Sequence, residues 1–180
     1  MAFEGAILPR NNENTVILDM SSLKPDLVWV EPGFALGSKP YAYQRKAVSQ
    51  RGIRAIVALQ ESAEGEAAAW QAYGVRFYWI PTRDWVQIPI PHFDRVVEIV
   101  SAHLDSATPV LLHCLAGINR APTFAAAVLC HIRGMSVDQA LAAVKCVRTN
   151  AKPTPEQENS LRAWYRLRCR DSFENLSEYE

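Results

Sequence analysis

The feature that most constrains the fold of this sequence is a regular alternation of short apolar runs with helix-forming segments. The run at residues 53–59 is β-branched and mostly apolar, whereas the segments between the runs carry helix starts, glycine stops or a 3.6-residue apolar period. We predict strands at residues 27–30, 34–36, 53–59, 75–80 and 109–113, and helices at residues 41–51, 64–73, 91–107 and 122–133. Two further helices open at Ser136 and Thr154, where a glutamine three residues later completes a capping box. The alternation indicates an α/β fold with a central, mostly parallel sheet flanked by helices.

Length and charge exclude several classes of protein. The 180 residues suit one domain, and a content of 49% apolar and 21% charged residues is typical of globular proteins. Basic and acidic residues are equal in number at 19 each, so we expect no nucleic-acid partner. The longest apolar run, residues 124–130, is too short to cross a bilayer, and the N-terminus does not resemble a signal peptide. We therefore expect no membrane partner.

The four cysteines argue against a metal site. Cys114, Cys130, Cys146 and Cys169 are spaced by 16, 16 and 23 residues and contain no C-x-x-C pair. This spacing matches neither a zinc site nor a disulfide framework. Reduced thiols in a cytoplasmic protein are the simpler interpretation. We therefore expect no metal, no cofactor and a cytoplasmic location.

One cysteine lies in a position suited to catalysis. Cys114 follows the predicted strand at residues 109–113, and Arg120, six residues later, leads into the next helix. A loop that enters a helix N-terminus presents several N–H groups to a phosphate, and Gly117 lets the backbone curl closely around it. Arg120 adds two parallel hydrogen bonds, and the positive potential favours the nucleophilic thiolate of Cys114. The remaining phosphate-binding amides are predicted to belong to Leu115, Ala116, Gly117, Ile118 and Asn119.

Each of these assignments has an ordinary alternative. A single cysteine at a strand end is usually a small buried hydrophobic residue, and an arginine at a helix start is usually a solvated cation. Here a predicted strand is followed by a cysteine, a glycine, an arginine and a predicted helix at the spacing that a phosphate-binding loop requires. This combination favours the catalytic interpretation. His113, which precedes the cysteine, either packs at the strand end or holds the loop and thiolate by hydrogen bonding, and both roles remain open.

The pattern H-C-x-x-G-x-x-R, read from His113 to Arg120, resembles the signature of the protein tyrosine phosphatase superfamily. The short chain is most similar to the dual-specificity branch, and the likeness extends over residues 27–165. The resemblance implies a dual-specificity-phosphatase-like fold and hydrolysis of phosphomonoesters through a phosphocysteine intermediate. We accordingly divide the chain into an N-terminal arm at residues 1–26, a phosphatase domain at residues 27–171 and an acidic C-terminal tail at residues 172–180.

The same resemblance assigns three further residues. The family uses a general acid, usually an aspartate, and Asp84 lies at the matching distance of 30 residues before Cys114. Asp84 would protonate the leaving group and then activate water, although a turn aspartate is more often simply solvated. Gln157 matches a glutamine that positions the hydrolytic water in some members, but it equally completes the capping box with Thr154. Ala121 stands where most members carry serine or threonine, whose hydroxyl stabilises the departing thiolate, so we predict a slow second step and an accumulating phosphoenzyme.

Substrate preference follows from weaker signals. The loop contains no lysine, and no arginine besides Arg120, which disfavours inositol phospholipids with several phosphates. We expect phosphotyrosine in proteins or peptides as substrate, with phosphoserine and phosphothreonine as lesser substrates. The alternatives are a phosphate on a glucan, a lipid or an RNA 5′ end, and a phosphate-binding interaction module with low turnover. The aromatic residues that either line the site or belong to the core are Phe34, Tyr41, Tyr43 and Trp85.

Overall fold

The computed structural model of the chain describes residues 7–8, 16–17 and 23–177. Its strands are β1 (Ile7–Leu8), β2 (Val16–Ile17), β3 (Leu27–Glu31), β4 (Phe34–Ser38), β5 (Ala55–Ala58), β6 (Arg76–Trp79) and β7 (Val110–Cys114). Its α-helices are α1 (Arg45–Gln50), α2 (Glu66–Gln71), α3 (Ile90–Asp105), α4 (Arg120–Arg133), α5 (Val137–Val147) and α6 (Pro155–Ser177). A short 3-10 turn, Ala42–Gln44, leads into α1. No helix within these ranges is both long enough and apolar enough to cross a bilayer.

Strands β3 to β7 form one sheet in the order β3-β4-β7-β5-β6, while β1 and β2 pair with each other in antiparallel fashion. Strands β4, β7, β5 and β6 run parallel, and the edge strand β3 runs antiparallel to its neighbour β4. The prediction of an α/β fold with a central, mostly parallel sheet flanked by helices is therefore confirmed. β7 lies at the centre of the sheet, which explains why every residue of this strand is buried.

Strand side chains alternate between the two faces of the sheet, and each face carries a core. One core lies between the sheet and helices α3, α4, α5 and α6. The other core lies against α1 and α2, where Val48 and Trp70 are buried. Leu111 and Leu112 of β7 enter opposite cores, so the strand that ends in Cys114 is packed on both faces.

Element boundaries depart from the sequence prediction where loops merge with regular structure. α4 begins at Arg120 rather than at residue 122, because the cysteine loop runs directly into the first helical turn, where Pro122 fits. The helix ends at Gly134, whose φ of 62° lies in the left-handed region that glycine favours. The capping boxes predicted at Ser136 and Thr154 are both present.

The predicted arm and tail are only partly covered by the described residues. Within the arm at residues 1–26, the segments 1–6, 9–15 and 18–22 lie outside them, and within the tail at residues 172–180 the last three do. α6 continues to Ser177, so most of the predicted tail is helical. The division of the chain into arm, domain and tail stays a prediction.

Candidate active site

The cysteine loop lies at the carboxyl edge of the parallel strands. Cys114 is the last residue of β7 and is opposite Ser38, the last residue of β4. The loop that follows reaches α4 at Arg120, so Cys114 faces the start of a 14-residue helix. The thiol itself is nearly enclosed, with 2% of Cys114 exposed to solvent. This is the edge at which ligands bind in sheets of this kind, as the sequence predicted.

The loop turns its carbonyl oxygens outward. Every carbonyl oxygen from residue 114 to residue 119 accepts a hydrogen bond from a group outside the loop, the donors being in order His113 Nδ1, Lys39 N, Arg148 Nη2, Arg148 Nε, Lys152 N and Thr123 N. By contrast, the amides of Leu115, Ala116, Ile118 and Asn119 have no hydrogen-bond partner in the described part of the chain. Since C=O and N–H of one peptide unit point in opposite directions, outward carbonyls leave these amides to the loop interior. Converging backbone amides of this kind bind anions.

Gly117 shapes the loop and contacts the nucleophile. Its amide donates a hydrogen bond to Cys114 Sγ at 3.2 Å, which stabilises a negatively charged sulfur. Its φ is 67°, and a Cβ added at this position would lie 2.6 Å from the Gly37 carbonyl oxygen and 2.7 Å from Arg148 Nη2. Both the backbone conformation and the lack of space therefore require glycine.

The guanidinium of Arg120 is buried, and contacts with Thr82 and Asp84 hold it in place. Only 4% of the residue is exposed, and Nη1 donates to the Thr82 carbonyl oxygen at 2.7 Å. Nη2 forms an ion pair with Asp84 Oδ2 at 3.0 Å. Nε is buried without a partner among the described residues. Because a buried donor requires an acceptor, Nε is free to bind a phosphate oxygen placed in the loop.

Asp84 is held between the arginine and a glutamine. Its Oδ1 accepts hydrogen bonds from Gln157 Nε2 and from the Trp85 amide, each at 3.0 Å. The side chain remains 25% exposed, so that a leaving group entering from solvent can reach it. Trp85 has a φ of 61°, a conformation that costs a non-glycine residue about 1–3 kcal/mol and is concentrated at functional sites. The structure thus places Asp84 in direct contact with both Arg120 and Gln157, whereas the catalytic roles of these residues stay predictions.

The two alternative roles of Gln157 are compatible with each other. Its Oε1 accepts a hydrogen bond from the Thr154 amide at 3.2 Å, and its own amide donates to Thr154 Oγ1 at 3.3 Å, which completes the capping box. The cap uses one end of the side-chain amide and leaves Nε2 to bind Asp84. The helix cap therefore orients the contact with Asp84, whereas positioning of the hydrolytic water by Gln157 stays a prediction.

His113 contacts the loop backbone as a neutral side chain. Its Nδ1 donates to the Cys114 carbonyl oxygen at 3.1 Å, which is the hydrogen-bonding role considered from the sequence. Burial lowers the pKa of His113 to about 4, and the hydrogen bond to Cys114 opposes this shift only in part. At neutral pH the imidazole is therefore uncharged, and it acts by fixing the first carbonyl of the loop.

Two residues that sequence reasoning missed hold the loop from behind. Arg148, which is 5% exposed, donates from Nε to the Gly117 carbonyl oxygen at 3.1 Å and from Nη2 to the Ala116 carbonyl oxygen at 3.2 Å. Asp26 binds the same guanidinium with both carboxylate oxygens, one of them at 2.6 Å from Nη2. The hydrogen bond from Arg148 lowers the pKa of Asp26 despite partial burial. In the sequence, Arg148 has the pattern of an ordinary basic residue at a helix end.

Among the residues that the structure describes, no hydroxyl group donates a hydrogen bond to Cys114 Sγ in place of the missing serine or threonine. Ala121 is fully buried. Thr123, two residues later in α4, donates its Oγ1 hydrogen to the Asn119 carbonyl oxygen at 2.8 Å. Within the described residues, Gly117 N is the only hydrogen-bond donor to Cys114 Sγ.

The aromatic residues divide between core and surface. Phe34 is fully buried and is opposite Val110, at the far end of the sheet from Cys114, so it belongs to the core. Tyr41 stacks on Tyr43 with ring centroids 5.4 Å apart, and 65% of Tyr41 is exposed. Trp85, next to Asp84 in the chain, is also exposed, as is Leu115 in the loop itself. Exposed apolar side chains thus adjoin both the nucleophile and the aspartate.

Other features bear on metals and redox state. In the described part of the chain, no group of three or more His, Cys, Asp or Glu side chains is placed to hold a metal ion. The four cysteines are free. The cytoplasmic location expected from their spacing stays a prediction.

Comparison with known proteins extends these observations. The sequence matches the family model of the dual specificity phosphatase catalytic domain over residues 35–167. Dual specificity protein phosphatase 8 of Mus musculus is 30% identical over 128 residues, which cover 71% of this chain and 19% of that protein. Phosphatidylglycerophosphatase and protein-tyrosine phosphatase 1 of Homo sapiens is 24% identical over 144 residues, which cover 76% of this chain and 72% of that protein. The mouse relative is thus matched over about a fifth of its length.

A solved structure of similar fold is that of PTPMT1 in complex with PI(5)P. It superposes with a TM-score of 0.75 at 20% identity, covering 81% of this chain and 98% of that chain. At this level of identity the likeness concerns the fold alone.

Proposed function

Because the chain belongs to the dual specificity phosphatase family, we propose that it hydrolyses phosphomonoesters through a phosphocysteine at Cys114, with phosphotyrosine in proteins as its preferred substrate and phosphoserine and phosphothreonine as lesser ones. The observation that carries this proposal is the loop of outward carbonyls, whose amides lack partners in the described part of the chain apart from Gly117 N, which binds Cys114 Sγ, together with the buried and unpartnered Nε of Arg120. These donors suit the non-bridging oxygens of a phosphate group.

In the first half-reaction, the Cys114 thiolate attacks phosphorus in line with the departing oxygen. The S–P bond forms as the P–O bond breaks, and the loop amides and Arg120 stabilise the charge on the transferring group. Asp84 enters this step as the protonated acid, with Arg120 bound to the substrate phosphate in place of the Asp84 carboxylate it pairs with here, and donates its proton to the leaving oxygen. The product then departs as a neutral phenol or alcohol.

In the second half-reaction, water displaces the cysteine. The Asp84 carboxylate accepts a proton from water as the water oxygen attacks phosphorus, and the S–P bond breaks to return the Cys114 thiolate and inorganic phosphate. Gln157 holds Asp84 in place through Oδ1. The departing thiolate receives one hydrogen bond, from the Gly117 amide, in the described part of the site.

The proposed preference for phosphotyrosine draws on the surroundings of the loop. Arg120 is the sole cation of the loop itself, which suits one phosphate better than several. The exposed side chains of Trp85 and Leu115 offer apolar contact to an aromatic ring next to that phosphate. The second candidate is a lipid phosphate, favoured by the similarity to a relative named as a phosphatidylglycerophosphatase.

A substrate panel tests this preference. We expect the kcat/KM for a phosphotyrosine peptide to exceed that for the same peptide with phosphoserine by about tenfold or more, because the aromatic contacts are then lost. Dioctanoyl phosphatidylinositol 5-phosphate and a phosphorylated glucan complete the panel, with released phosphate as the common measurement. A higher kcat/KM for the lipid or the glucan would overturn the protein preference while leaving the phosphocysteine mechanism intact.

The alanine at position 121 predicts that the second half-reaction, hydrolysis of the phosphocysteine, is the slow one. Rapid mixing with an aryl phosphate is expected to give a burst of phenol equivalent to the enzyme concentration, followed by a slower steady state. Ala121→Ser is expected to speed the steady state about fivefold, the value of one hydrogen bond of about 1 kcal/mol to the departing sulfur. Ala121→Gly, which adds no hydroxyl, serves as the control. Absence of a burst, or no acceleration by serine, would contradict the prediction.

A further inference from the structure

A second cleft lies at the other end of the sheet from Cys114. It has a volume of about 840 Å³ and follows the outer side of β6, with Gln71 of the α2 region on one wall and His103 of α3 on the other. Arg76, the first residue of β6, pairs with Ala55 of β5, and Ala55 pairs in turn with Val110 of β7. Val110 is the first residue of β7, whereas Cys114 is its last. The cleft and the phosphate loop therefore occupy opposite ends of the parallel strands.

The strand that forms the floor of this cleft has an open edge. The amides of Arg76 and Ile80 donate to carbonyl oxygens of the β5 side at 2.8 and 2.9 Å. Because hydrogen-bonding directions alternate along a strand, the N–H and C=O groups of Phe77 and Trp79 face away from β5. Within the ranges that the structure describes, no strand pairs with this outer side. An open edge of this kind is a template for an added strand.

The cleft is also positively charged. Arg54 donates from Nη1 to the carbonyl oxygens of Ser49 and Ile53, and Arg76 donates to Tyr78 Oη, so both bind neutral groups. Neither arginine has a carboxylate partner among the described residues, although both line the cleft.

The remaining charged residues do not cancel this charge. Arg95 and Glu98 line the cleft as an ion pair at 2.7 Å. Burial and the nearby Arg76 hold the pKa of His103 below its usual value, so the imidazole is neutral at neutral pH. The chain as a whole has no net charge, so the excess of two arginines is a local property of this cleft.

We infer that this cleft binds an extended acidic segment of a partner protein by strand addition to β6. The segment's backbone pairs with the outward groups of Phe77 and Trp79, and its carboxylates bind Arg54 and Arg76. Main-chain hydrogen bonds supply affinity in such complexes, and the side-chain contacts select the sequence. β6 is four residues long and spans about 13 Å, which accommodates a similar length of peptide. The cleft thus recruits a protein at a distance from the catalytic loop, whichever phosphate that loop hydrolyses.

The binding test uses a fluorescein-labelled peptide of eight residues in which valine and glutamate alternate. We expect saturable binding by fluorescence polarisation to the full chain, and about tenfold weaker binding to the double variant Arg54→Gln, Arg76→Gln. Arg166→Gln, which removes an exposed arginine on α6, is the matched control and should bind as the wild type does. A peptide with glutamine in place of glutamate, and one with alternate N-methylated amides, should each bind at least about tenfold more weakly.

The position of the peptide is tested separately. In ¹⁵N-labelled protein, the amide signals of Phe77 and Trp79 should shift on titration, and hydrolysis of an aryl phosphate should proceed at an unchanged rate. Equal binding by the arginine double variant or by the N-methylated peptide would overturn the inference. So would competitive inhibition of phosphatase activity, since this would place the peptide at Cys114.

Discussion

Replacement of Cys114 by serine is expected to abolish hydrolysis of aryl phosphates, with a fall in kcat of at least about 10⁴-fold. The sulfur is 3.2 Å from the Gly117 amide, a contact that stabilises a thiolate but cannot take a proton from a serine hydroxyl. Within the described residues no general base contacts this atom, so the serine hydroxyl remains protonated and unreactive. The measurement is the initial rate under reducing conditions at saturating substrate.

Two controls separate chemistry from folding. Cys146→Ser changes an exposed cysteine and should leave the rate unchanged. Cys114→Ser itself should still bind phosphate or vanadate, because the loop amides and Arg120 are retained. If wild type and Cys114→Ser were equally inactive while both bound phosphate, the chain would be a phosphate-binding module rather than an enzyme.

Loss of Asp84 should have an effect that depends on the leaving group. Asp84→Ala is expected to lower kcat/KM for a phosphate ester of a weakly acidic phenol or alcohol by about 10²–10⁴-fold, the usual contribution of a general acid. An ester of a strongly acidic nitrophenol departs without protonation, so its kcat/KM should fall far less. The measurement is a series of aryl phosphates compared in wild type and variant.

The structure supplies a rival explanation that this series can distinguish. Asp84 is also the ion-pair partner of Arg120, so its removal affects phosphate binding. A uniform fall for all leaving groups would indicate that Asp84 acts by positioning Arg120. Asp105→Ala, at the end of α3, is a matched control that should change neither substrate class.

The predictable parts of the candidate site are residues that lie close together in one short stretch of sequence. Cys114, Gly117 and Arg120 belong to a single strand–loop–helix unit, so their types and spacing predict a phosphate-binding loop before any tertiary contact is known. The alternation of strands and helices likewise determined the sheet, because each element carries its own apolar period. The start of α4 was misplaced because the loop passes into the helix without a separate cap.

The parts that were not predictable depend on residues distant in the chain. The contact between Gln157 and Asp84 spans 73 residues, and no local pattern distinguishes it from an ordinary capping box. Arg148 has the appearance of a helix-end cation until its two bonds to loop carbonyls are seen. The left-handed backbone of Trp85 has no sequence signal either, since tryptophan rarely adopts it.

The ion pair between Asp26 and Arg148 has a consequence for how the protein folds. The two residues are 122 positions apart in the chain. Asp26 lies just before β3 and Arg148 just after α5, so the side chain that holds the loop carbonyls is itself fixed by a contact between distant segments. Contacts of such long range incur a loop-closure entropy and form after local ones. During synthesis, Cys114 and Arg120 leave the ribosome before Arg148 does. We therefore expect the loop around Cys114 to reach its final shape late in folding, once Asp26 and Arg148 have met.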